Sequence, residues 1–91
     1  MNEIKKEDFF STRDLPLAAT LVTLKFFMSG VNIQLEGNKN APIGYFCFKN
    51  SPALEEARQK YGQGLLAVEP KILLTNLRNL KAEVVNAINQ M

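Results

Sequence analysis

Three of the four prolines in this 91-residue chain stand where a helix can begin, and they set its main divisions. A proline deep inside a helix removes a hydrogen bond and clashes with the preceding turn, so each is expected in a first turn. Ser51-Pro52 is the clearest case, because serine is a favoured cap and proline suits the first helical position. Pro16 follows Asp14, with a cap at Thr12 as the alternative, and Pro70 opens a last helix that runs close to the C-terminus.

Apolar residues recur at helical spacing after each of these starts. The first helix is predicted to run to about Lys25, and the second to stop at Gly62. The expected buried positions are Leu17, Ala18, Leu21, Val22 and Leu24 in the first helix, Leu54, Ala57 and Tyr61 in the second, and Leu73, Leu77, Leu80, Val84 and Ile88 in the third, widened by Leu74 and Val85.

Four segments have the pattern of strands. Residues 8–11 read as a short edge strand, 31–36 alternate apolar and polar residues, 43–49 follow a turn-rich loop at 37–42, and 65–68 are a short apolar run. In the third segment Gly44, Phe46 and Phe48 share one face, and Ile43, Tyr45, Cys47 and Lys49 share the other.

The resulting order is β-α-β-β-α-β-α. We therefore expect an α+β fold of two layers, an antiparallel sheet with helices on one face, ferredoxin-like with an extra C-terminal helix. Residues 1–7 are expected to be a flexible, solvated leader, and 8–91 a single domain.

Missing residue types exclude several classes of function. The chain has no histidine, so a nucleophile activated by an imidazole base and a zinc site of Cys and His are excluded. Phosphate-binding glycine motifs and calcium-loop motifs are absent as well, and we expect no enzyme, cofactor or metal. A carboxylate enzyme using Asp8 and Asp14 is the weakest alternative. The lone Cys47 and the lack of a signal or membrane span favour a cytoplasmic protein.

Three stretches in this order resemble a family of small, uncharacterised bacterial and phage proteins, grouped as a domain of unknown function. They are FFSTRDLPLAATLV (9–22), YFCFKNSPALEEARQKYGQG (45–64) and VEPKILLTNLRNLKAEV (68–84). The pattern would place a helix-stopping glycine soon after the first helix, but Leu24-Lys25-Phe26-Phe27 precedes Gly30, so either that helix is longer or a strand begins at Phe26. This resemblance implies no function.

The element order also resembles the RNA-recognition motif, whose strand stacks bases on exposed aromatic rings. Gly44 and Tyr45 match that pattern, whereas Ile43, Phe46 and Cys47 depart from it. Net charge is +2, and residues 39–81 hold seven basic and three acidic residues. The leading hypothesis is a module for single-stranded DNA or RNA, in which Tyr45 stacks a base. Phosphates would be met by Lys49, Arg13, Lys25 and Lys39, and hydrogen bonds supplied by Asn32 and Gln34. The alternative is that Tyr45 only covers the sheet edge.

The last helix supports a different hypothesis. Its apolar face is wider than a coiled-coil seam, so it either covers its own sheet or packs partly against a second copy through Leu74, Val85 and Ile88. The rival function is thus a protein-interaction or structural module, a phage or accessory component that forms a homodimer.

Overall fold

Three strands and three helices make up the computed structural model, which describes residues 8–37 and 41–90. Their order is β1 (Phe9–Thr12), α1 (Leu15–Thr23), β2 (Met28–Glu36), β3 (Ala41–Lys49), α2 (Pro52–Gly62) and α3 (Pro70–Asn89). The α+β class is confirmed. The leader expected at residues 1–7 lies outside the described residues. Within the described part of the chain, no helix has both the length and the apolar character needed to cross a bilayer.

Each helix is preceded by a capping residue that lies one or two positions before its proline. The Asp14 carboxylate accepts the Leu17 N–H at 3.0 Å, and the Ser51 hydroxyl accepts the Leu54 N–H at 3.1 Å. Glu69 caps α3 by accepting the Ile72 N–H at 2.6 Å. These bonds satisfy backbone donors that have no partner inside the helix. Because such caps depend on neighbouring residues, the starts of all three helices could be predicted.

Helices α1 and α2 end in the same way, with a residue in the left-handed conformation. After α2 this residue is Gly64, at φ +71°, two positions beyond the predicted stop at Gly62. After α1 it is Lys25, at φ +76°, and the Phe26 N–H returns to the Leu21 carbonyl at 3.0 Å. The first helix therefore ends at Thr23, and a lysine takes the place where we expected a glycine.

Replacing Lys25 with glycine should raise the free energy of unfolding by about 0.5–1 kcal/mol. A left-handed φ costs a residue with a Cβ about 1–2 kcal/mol, and the greater freedom of glycine in the unfolded chain offsets part of the gain. Urea denaturation measures the change. Lys81→Gly, inside α3, is the matched control and should lose about 1 kcal/mol. A loss of stability in K25G as well would contradict this account of the helix end.

The sheet has the order β1-β3-β2, and both pairings are antiparallel. A bulge between Met28 and Gly30 adds one residue to β2. The prediction of a strand at 65–68 is wrong, because residues 65–69 form no strand. Among the described residues the sheet has three strands, and the ferredoxin-like arrangement is not confirmed.

All three helices pack on one face of this sheet, with α1 between α2 and α3. The core joins Phe46 and Phe48 of β3 to Leu21, Leu54 and Leu80, one from each helix. Helix α3 packs against Gly44, where a Cβ would lie 2.8 Å from a Val84 methyl group. The division of β3 into a buried face and an open face is therefore as its alternation predicts.

Candidate nucleic-acid interface

The face of the sheet opposite the helices is the candidate interface. Strand pairing puts Tyr45 beside Asn32 and Ile43 beside Gln34. Lys49 of the same face pairs with Phe9 of β1. The helices pack on the other face of the sheet, while at one end Pro52 and Glu55 of α2 line a cleft with Phe9 and Lys49. We call this surface the open face: Phe9, Ser11, Asn32, Gln34, Glu36, Ile43, Tyr45, Cys47 and Lys49.

Four of the seven predicted contact residues thus share one surface. Tyr45, Lys49, Asn32 and Gln34 all belong to the open face, which follows from two strands whose alternation is regular over this region. Asn32, Gln34 and Lys49 are exposed, and Tyr45 is half-buried.

The Tyr45 side chain is hydrogen-bonded to the last residue of β2. Its hydroxyl donates a hydrogen bond of 2.8 Å to the Glu36 carboxylate. This bond is the main reason why the pKa of Tyr45 lies above its ordinary value, with burial and the Glu36 charge adding to it and Arg13 opposing it. The opposing effect of Arg13 shows that its guanidinium lies near the Tyr45 hydroxyl. The phenol is protonated at neutral pH, and its hydroxyl is bonded to the Glu36 carboxylate with the Arg13 guanidinium nearby.

Arg13 therefore joins the open face at its edge, immediately after β1. Lys25 does not lie on the sheet: it is exposed in the turn between α1 and β2. Lys39 lies outside the described residues. The basic side chains that this structure brings to the site are Arg13 near Tyr45 and Lys49 near Phe9.

Phe9 is an aromatic open-face residue that the sequence analysis did not single out. It is 48% exposed and pairs directly with Lys49. Phe10 points to the core side instead, where Arg58 lies 3.9 Å from the centre of its ring. Two adjacent phenylalanines in a four-residue strand carry no alternation signal, so only the pairing with β3 decides which one is open.

The cysteine of this face has ordinary polar neighbours. Its Sγ accepts a bond of 3.4 Å from the Ser11 hydroxyl and donates one of 3.8 Å to the Tyr45 carbonyl. Among the described residues, no group of three Cys, Asp or Glu could hold a metal ion.

The three residues predicted for a helix-mediated interface differ in exposure. Leu74 is 58% exposed and Val85 is 47% exposed, whereas Ile88 is half-buried. The core side of α3 is formed by Leu73, Leu77, Leu80 and Val84. The helix therefore covers its own sheet and also leaves three large apolar side chains exposed, those of Ile72, Leu74 and Val85.

Comparison with known protein families, with curated proteins and with solved structures gave no significant match. The resemblances to the bacterial and phage family and to the RNA-recognition motif stay predictions.

Proposed function

We propose that this protein is a non-enzymatic module that binds single-stranded nucleic acid on the open face. The observation that carries the proposal is the grouping of two aromatic rings, two exposed amides and two cations on the face of the sheet opposite the core. Phe9 and Lys49 lie at one end, and Tyr45 and Arg13 lie near the other.

Each of these groups has a part in such binding. Aromatic rings stack on bases of any sequence, and cations contact the phosphates between them. Tyr45 and Lys49 are four residues apart on β3, which is about 13 Å at the rise of a strand. Phe9 lies beside Lys49, so the two rings are offset by a similar length along the sheet. Two bases of one strand can then stack while Asn32 and Gln34 bond to base edges.

Glu36 sets a limit on the affinity. Its carboxylate lies 2.8 Å from the Tyr45 hydroxyl and would repel a nearby phosphate. The whole chain has a net charge of only +2. We therefore expect weak to moderate binding that falls as salt rises, and a preference for single strands, whose bases are free to stack.

Replacing Tyr45 with alanine should weaken binding to a labelled single-stranded oligonucleotide by about 5-fold to 150-fold, because stacking of a base on an aromatic ring contributes about 1–3 kcal/mol. Tyr45→Phe is the matched control: it keeps the ring and removes only the bond to Glu36, so its affinity should be close to that of the original protein. Fluorescence anisotropy measures both. Equal affinity of well-folded Y45A and the original protein would overturn the role of Tyr45.

Charge reversal supplies a second comparison. Lys49→Glu on the open face should weaken binding more than Lys71→Glu, an equal change of charge at an exposed position of α3. If the two variants lose the same affinity, binding depends on the overall charge of the protein and not on Lys49 of the open face.

The second candidate is a protein-interaction or structural module that forms a homodimer through α3, and the exposure of Leu74 and Val85 favours it. Light scattering at several concentrations tests this function. A dimer that Leu74→Asp converts to a monomer would support it, and a strict monomer at all concentrations would exclude it.

A further inference from the structure

One part of β3 has a strand on one side only. The pairing of β1 with β3 ends at Thr12 and Phe46, whereas β2 continues alongside β3 as far as Ala41. Within the described residues, no strand lies on the β1 side of residues 41–45. We call this vacant position the notch.

The backbone of β3 presents hydrogen-bonding groups to the notch. The Asn50 N–H donates to the Asp8 carbonyl at 2.9 Å, so the even-numbered residues of β3 direct their backbone groups toward β1. By this alternation the N–H and C=O of Gly44 point into the notch, as does the C=O of Pro42. Pro42 has no N–H, which is the arrangement expected on a strand edge.

A cleft of about 350 Å³ lies beside these groups on the helix side of the sheet. It is lined by Leu15 from the start of α1, by residues of β3 and by one side of α3. Its two charged residues are Arg13 and Lys81, and no carboxylate lines it. The full lining is Arg13, Leu15, Pro42, Ile43, Gly44, Phe46, Lys81, Val84 and Val85.

We propose that the notch binds an extended acidic segment of a partner protein as an additional strand. A residue of that segment opposite Gly44 would exchange two backbone hydrogen bonds with it. Its side chain would lie on the same side of the sheet as the cleft, so an aliphatic residue fits there. Carboxylates two positions before or after that residue lie on the same side of the strand, where they would meet Lys81 and Arg13, and no acid lines the cleft itself.

Gly44 suits this role because it has no side chain. A second backbone can approach a glycine closely, and the space that a Cβ would take is already filled by Val84. A free anion could bind to the two cations alone. Only a peptide can also form hydrogen bonds with both the N–H and the C=O of Gly44. This inference concerns the sheet edge and does not depend on nucleic-acid binding. Arg13 lies beside both the open face and the notch, so no substitution of Arg13 is used in the test.

The test titrates the ¹⁵N-labelled full chain with the capped pentapeptide Glu-Thr-Val-Thr-Glu. Its valine and both glutamates share one face of an extended strand, so all three face the cleft when the valine lies opposite Gly44. We expect saturable shifts of the amide signals of Gly44, Lys81 and Val85. Replacing the glutamates with lysine, or methylating the valine nitrogen, should weaken binding at least tenfold. The first change reverses the charge, and the second removes the donor that pairs with Gly44.

Variants of the protein complete the design. Lys81→Glu should weaken binding of the glutamate peptide at least tenfold, while Lys71→Glu, also exposed on α3, should leave it unchanged. The proposal is overturned if millimolar peptide gives no saturable shifts, if the lysine or methylated peptide binds equally well, or if the shifts fall on the open face or elsewhere. Loss of oligonucleotide binding in Y45A has no bearing on any of these outcomes.

Discussion

Replacing Phe48 with alanine should lower the free energy of unfolding by about 3–5 kcal/mol, the usual cost of removing a buried aromatic side chain. Phe48 is 0% exposed and lies in the cluster that joins the sheet to the helices. Its strand partners, Phe10 and Met28, belong to the same packed layer, so the surroundings can collapse only partly into the space left. In a domain of this size, such a loss is a large fraction of the total stability.

Urea denaturation followed by circular dichroism measures this loss. Phe27→Ala is the matched control, since Phe27 is 78% exposed and should change the stability by no more than about 0.5 kcal/mol. A loss below about 1 kcal/mol in F48A, or equal losses in the two variants, would show that the helices do not pack on this face of the sheet.

Replacing Gly44 with alanine should destabilise the protein by about 1–3 kcal/mol, although alanine is normally the better strand residue by about 0.5–1 kcal/mol. The added Cβ would lie 2.8 Å from Val84 Cγ1 and 2.9 Å from Val84 Cγ2. Both are methyl groups on a β-branched side chain of α3, so the helix itself has to move to relieve the contact.

A double-mutant cycle identifies the cause. In a Val84→Ala background both methyl groups are gone, and Gly44→Ala should then cost much less or become stabilising. The coupling energy should reach at least about 1 kcal/mol, within the range seen for residues in contact. If the two substitutions have additive effects on the free energy of unfolding, α3 does not pack against β3 at Gly44.

Features that depend on neighbouring residues could be predicted from the sequence. The caps at Asp14 and Ser51 need only a side chain and the next few backbone amides, and both form the expected bonds. The two faces of β3 follow from alternation, so Tyr45 and Lys49 lie on the open side while Phe46 and Phe48 are buried.

Features that depend on residues distant in the sequence could not be predicted. The apolar run 65–68 has the composition of a strand, but Leu65 is 67% exposed and Leu66 packs against the core without pairing to the sheet. A short apolar run does not show whether a sheet edge is within its reach. For the same reason, the open position of Phe9 follows from its pairing with Lys49 and not from its own strand.

The left-handed turn at Lys25 shows a local preference overruled by packing. Sequence rules favour glycine at such a helix end. Here the turn brings Phe26, the next residue, against the core, and the Leu21 carbonyl accepts its N–H. Burial of Phe26 offsets the cost of the lysine conformation, and nothing in residues 24–27 reveals this in advance.

The most direct test of nucleic-acid binding by the open face is fluorescence anisotropy with the full chain. Labelled single-stranded DNA, single-stranded RNA and duplex DNA are each titrated at several salt concentrations. We predict that single strands bind more tightly than duplex, and that the logarithm of the affinity falls linearly with the logarithm of the salt concentration, with a slope that counts few phosphate contacts. No binding at about 50 mM salt, where screening is weak, or tighter binding to duplex would contradict the proposed function.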